Sequence, residues 1–149
     1  MRKLPVVVAM FAFAASGALA MSGLEAIKAR KELMKADGAA TTQLVRMLQG
    51  KARFDLAAVQ KALKTFQNAA SKEPTLFPPD SKTGDETEVL PIIWEGDNLA
   101  DLNARFKKLG DDATAALASI KDEASFKATI PGVLDNCGGC HEKYKSGQR

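Results

Sequence analysis

From Leu99 to Ile120 the residues Leu99, Leu102, Phe106, Leu109, Ala113, Ala116 and Ile120 recur at unbroken steps of three and four. That period is the turn of an α-helix. Three heptads of it make an apolar stripe that needs a partner helix at a shallow crossing angle. The same spacing runs through Leu56, Val59, Leu63, Phe66 and Ala70, and again through Phe126, Ile130, Val133, Cys137, Cys140 and Tyr144. Leu24, Ile27, Met34, Leu44 and Leu48 trace the seam of a first helix that reaches about Gly50. Ser22 and Glu25 form a capping box before it, and Asp55, Asp97 and Asp122 stand where the other three helices need caps. No strand-like alternation of β-branched residues competes with this pattern. Four helices with mostly short connections predict an all-α fold, an antiparallel up-down-up-down four-helix bundle.

Two stretches break the regularity. Pro131-Gly132 lies inside the fourth segment, where the missing N–H predicts a kink or a restart. Residues 72–91 form a long connection with Pro74, Pro78, Pro79 and Pro91. Connections of that length are uncommon in small domains unless they serve a purpose. Leu76, Phe77, Leu90 and Trp94 can fold back over one end of the bundle, while 80–88 reads equally well as a loose crossover.

Residues 1–20 stand apart from the fold. Arg2 and Lys3, the apolar run Val6 to Ala15 and Ala18-Leu19-Ala20 make the three-part pattern of a secretory signal cleaved after Ala20. The apolar run is short of the ~20 residues a membrane span requires. The mature domain, 21–149, is then exported, with no membrane attachment. The net charge of +3 and the lack of a basic stripe interleaved with aromatics exclude nucleic acid as a partner.

Within that exported domain, Cys137 and Cys140 are the only two cysteines and His141 the only histidine. A structural zinc site needs four ligands, and this chain has three, crowded together. A redox disulfide needs the cysteines alone, usually at the start of a helix that follows a strand. A c-type haem uses all three: two thiols one turn apart take up the vinyl groups, and the next imidazole binds iron. Haem c is therefore the expected cofactor, tied to Cys137 and Cys140 with His141 as iron ligand. A helical module carrying only a Cys137–Cys140 disulfide is the alternative. Gly138 and Gly139 are then expected to let the macrocycle lie close to the backbone. Because both cysteines fall on the apolar seam, the haem belongs in the bundle core. Covalent attachment of this kind takes place outside the cytoplasm, which makes the periplasm the expected compartment.

Such a motif at the end of a four-helix chain resembles the cytochrome c′ family, including its low-spin relatives. The resemblance spans residues 22–147. Besides the haem motif it takes in Arg30 and Met34 in the first helix, Leu76-Phe77-Pro78, and Leu90-Pro91-Ile92-Ile93-Trp94. It implies that Met34 faces the distal side of the iron, that Arg30 lies near a haem propionate, and that Lys145 sits near the proximal imidazole. It also implies a homodimer. With one histidine, bis-histidine ligation is excluded. If Met34 binds iron, the protein suits one-electron transfer with redox partner proteins. If Met34 only packs there, the open position suits nitric oxide or carbon monoxide. An apolar pocket without a distal histidine is expected to lack a hydrogen-bond donor for oxygen. The small residues between Asp37 and Thr41 leave room for haem, and Gly38 can let the helix bend. No catalytic residue set stands beside the single histidine, so an enzyme is not expected.

Overall fold

A computed structural model describes residues 21–147; the expected signal segment, 1–20, lies outside the described residues. Four helices follow in order: α1 (Gly23–Leu48), α2 (Leu56–Lys72), α3 (Asn98–Ser119) and α4 (Glu123–Tyr144). Helix α1 starts on a capping box, with Ser22 N–H donating to Glu25 Oε2 at 2.9 Å and Glu25 N–H to Ser22 Oγ at 3.3 Å. It ends where Gly50 takes φ 68°, which lets Gly50 N–H reach the Met47 carbonyl and Lys51 N–H the Arg46 carbonyl. Asp55 Oδ1 accepts from Ala58 N–H at 3.1 Å and caps α2. Asp122 and Ser125 form a second capping box at α4.

Asp97 precedes α3 as expected, yet its side chain makes no capping bond. Its φ of −90° and ψ of 9° depart from the extended backbone a capping side chain needs. Helix α4 is continuous through Pro131, with no restart. Both Pro131 and Gly132 are exposed, so water can serve the carbonyl freed by the missing proline N–H.

Helices that follow one another in the chain pack on one another, while α1 and α4 touch only slightly. One end of the bundle is filled by side chains of all four helices, among them Leu44, Leu63, Phe66, Ala113, Phe126 and Ile130. Phe54 closes that end against Phe126, ring centroids 5.6 Å apart. A second, smaller cluster of Phe77, Ile93, Leu102, Phe106 and Tyr144 occupies the other end. The α1 seam is rotated from the expected one. Leu24 is half-exposed, while Arg30 and Asp37 are buried on the inward face.

The long connection is ordered as three single 3₁₀ turns, Glu73–Thr75, Pro79–Ser81 and Pro91–Trp94. It does fold back over the bundle. Leu76 and Phe77 are buried, and Trp94 Nε1–H donates to the Phe77 carbonyl at 3.0 Å. The 80–88 part is also docked: Gly23 N–H donates to Asp80 Oδ2 at 2.9 Å, and a Cβ on Gly23 would collide with the Asp80 carbonyl oxygen. Residues 88–90 pair with the end of α4 through Leu90 N–H to Tyr144 O, Ser146 N–H to Glu88 O, and a bridge between Val89 and Lys145.

Candidate haem site

Between the two clusters lies a cavity of about 380 Å³. That is within the usual range for cofactor pockets, about 300–1,000 Å³. Its α4 wall carries Cys137, Cys140 and His141; its α1 wall carries Met34 and Asp37. Cysteines three apart on a helix share a face, and both thiols border the cavity half-buried. Burial pushes the Cys140 thiol up to about 11 and raises Cys137 as well. Such thiols are poor thiolates, which argues against redox exchange at this pair. Burial first, then Lys145, lowers the His141 pKa against an opposing effect of Glu88. The imidazole is therefore neutral and has a lone pair for a metal.

The two glycines do not play the expected part. Gly138 and Gly139 are exposed, and a Cβ on Gly138 would meet nothing within 4 Å. Residues one and two positions past Cys137 point away from the face the cysteines share. Gly139 instead offers its carbonyl to Arg105 Nη1 at 3.0 Å. Arg105 Nε also donates to Asp101 at 2.7 Å, and Asp101 accepts from Lys143 and the Tyr144 hydroxyl. Those hydrogen bonds, Arg105 first, hold the Asp101 carboxyl well below the usual carboxylate range. This cluster ties α3 to the haem-motif turn.

Arg30 reaches the cavity wall, but its guanidinium is engaged by the connection. It donates to Leu76 O at 2.7 Å, Ser81 Oγ at 2.9 Å and Ser81 O at 3.0 Å, and lies 4.6 Å from the Phe77 ring centroid. Burial lowers its pKa, opposed by Glu73. Arg30→Ala is expected to destabilise the haem-loaded protein by about 2–4 kcal/mol, since it leaves buried acceptors without donors. Guanidinium unfolding followed by circular dichroism checks this; a loss under about 0.5 kcal/mol would refute the role. Lys145 pairs with Glu88 at 3.0 Å on the His141 side of the cavity.

Two cavity residues escaped the sequence reading. Asp37 is 7% exposed and Glu73 1% exposed, and Asp37 Oδ1 and Glu73 Oε1 have no hydrogen-bond partner. Burial raises Asp37 to about 7; burial and then Asp37, against Arg30, raise Glu73 to about 8. A signal existed. Asp37 follows Ile27, Arg30 and Met34 at helical steps, and Glu73 continues the run Val59, Leu63, Phe66, Ala70. An acid on an apolar register marks either a helix end or a cavity.

The residues fit a haem. Phe77, Ile93, Leu102 and Phe106 give the cavity apolar walls, and the two thiols, the His141 imidazole and the Met34 thioether all line it. A bundle that keeps this much room beside such a turn of helix is a c-type haem protein. The family profile described as Cytochrome C' matches residues 25–145. Cytochrome c' of Rhodopseudomonas palustris is 46% identical over 127 residues, covering 85% of this chain and 86% of the other. Its solved structure superposes with a TM-score of 0.78 at 47% identity, covering 83% of this chain and 98% of that one. Cytochrome c-556 of Agrobacterium fabrum is 34% identical, with 96% of each chain covered. The chain belongs to the cytochrome c′ family, and it carries covalently bound haem c with its iron.

Proposed function

We propose that the protein is a periplasmic one-electron carrier. The observation that carries this is Met34: among the residues lining the cavity, it and His141 are the pair that can offer iron a thioether and an imidazole. Haem c held here would supply a one-electron iron couple. The chain's own residues do the rest. Cys137 and Cys140 fix the group to α4, His141 orients it, and Phe77, Phe106 and Leu102 keep water from its faces. Cys140 and His141 are only half-buried, so the end of the cavity that would hold the haem lies near the surface, where a redox partner protein could meet it. No helix of the described residues is long and apolar enough to cross a membrane, in keeping with a carrier that diffuses. The signal-like segment 1–20 supports export to the periplasm. Nothing in this role requires catalysis, and we assign no enzyme activity. The family resemblance supports a homodimer.

A second reading, nitric oxide or carbon monoxide binding, is favoured by the two unpartnered acids on the cavity wall, which an electron carrier does not need. Optical spectra separate the two. Met34 ligation gives a low-spin spectrum with a far-red sulfur-to-iron band and no response to carbon monoxide, and Met34→Ala then turns it high-spin. A high-spin wild type that takes up carbon monoxide, unchanged in spin state by Met34→Ala, refutes the carrier with Met34 as ligand.

A further inference from the structure

The α1 wall of the cavity places Met34 and Asp37 one turn apart, as the α4 wall places His141 one turn from Cys137. Met34 and Asp37 from α1, and Cys137 and His141 from α4, all line the same cavity. Asp37 lies about 5 Å further along α1 than Met34, within a carboxyl's reach of whatever lies beside Met34. Asp37 is more than nine-tenths buried, and Oδ1 has no partner in the protein. A buried acid that finds no acceptor in its own fold, yet lines a cofactor cavity, is a donor awaiting a ligand.

We propose that Asp37, as a neutral carboxylic acid, donates a hydrogen bond to a diatomic ligand held on the distal side of the haem and so sets which ligand the cavity retains. This rests on the ligand-binding reading above. It reverses the expectation that the pocket has no donor: a polar diatomic such as nitric oxide or dioxygen gains an acceptor-to-donor contact that carbon monoxide uses weakly. The burial that lifts the Asp37 pKa to about 7 keeps the proton in place below neutrality. Glu73 is the other unpartnered acid on the cavity wall, but it sits at the end of α2 with the Arg30 guanidinium acting on it, whereas Asp37 shares a helix turn with Met34; the Glu73→Gln variant separates the two.

The test uses the ferrous, haem-loaded protein at pH 6, with nitric oxide and carbon monoxide as probes. Asp37→Leu is expected to speed nitric oxide dissociation about two- to tenfold, the worth of one hydrogen bond. It should also raise the infrared stretching frequency of bound carbon monoxide, which reads the field at the ligand independently of affinity. Asp37→Asn keeps an N–H donor and should stay near the wild type in both. Glu73→Gln should change neither. Equal rates and frequencies in wild type and Asp37→Leu overturn the assignment while leaving ligand binding intact; so does a change confined to Glu73→Gln. If the wild type forms no complex with either gas, ligand binding fails and Asp37 has no such role.

Discussion

Cys137→Ala combined with Cys140→Ala is expected to yield a chain with no covalent haem and no stable native bundle. The cavity beside these residues is about 380 Å³. At about 24 cal/mol per Å³, a sealed hole of that size would cost on the order of 9 kcal/mol, an upper bound because water can enter beside the charged groups of the wall. Net stabilities of single domains are about 5–15 kcal/mol, so even part of that loss leaves the bundle marginal. The slight contact between α1 and α4 lies beside that space, and little else in the fold would hold these two together. Each single substitution keeps one thioether and should keep a folded, haem-bearing protein. Acid–acetone extraction followed by Soret absorbance reads the attachment, and near-ultraviolet circular dichroism reads the packing. A double variant with native near-ultraviolet dichroism and no haem would show that the cofactor is not part of the core.

The stability of the haem-loaded protein is expected to fall between pH 5 and 8, and Asp37→Asn with Glu73→Gln should remove that fall. Free Asp and Glu titrate near ~4. In the fold Asp37 titrates at about 7 and Glu73 at about 8. Between those values the native state holds protons that the unfolded chain has released, so stability declines with rising pH. The contribution is whole below about pH 4 and gone once the pH has passed the folded values. Other carboxylates act in the opposite direction. Asp101 and Asp112 are held low by hydrogen bonds, chiefly from Arg105 and Lys108, and their contribution is present above about pH 4 and lost as the pH drops further. Stability should therefore peak in mildly acid solution. At pH 8 each amide substitution is expected to add about 1–3 kcal/mol, the cost of an unsatisfied buried polar group. Guanidinium unfolding at pH 5 and pH 8 measures this. Parallel curves for wild type and double variant would show that neither acid is buried in the native protein.

Local features of the chain were legible in the sequence. The capping residues Ser22, Asp55 and Asp122 act within three residues of themselves, and the α2 and α3 stripes needed only a period. The thiols and imidazole were readable because their spacing is itself the chemistry. Misreadings arose where distant backbone decides the outcome. The apolar period puts Leu24 inside and passes over Asp37, because helix one does not bury a purely apolar face: it lines a cavity, with Arg30 held by Leu76 and Ser81 and Asp37 on the cavity wall. Nothing local reveals that Ser81 and the Leu76 carbonyl will meet Arg30. Asp97 failed as a cap because the chain turns at Gly96, with φ 50°, and arrives in the wrong conformation. The apolar residues of the connection announced a lid, but the pairing of 88–90 with 144–146 is made by backbone groups that any sequence possesses.

All three of the residues that secure the haem, Cys137, Cys140 and His141, come from little more than one turn of α4, whereas Met34 and Asp37 come from α1. Attachment and reactivity are thus inherited on separate segments at opposite ends of the chain. If Met34 and Asp37 act as proposed, a mutation in the first helix would change the distal chemistry without endangering the retention of the cofactor. Selection can try one chemistry after another on a bundle that never has to relearn how to hold its iron.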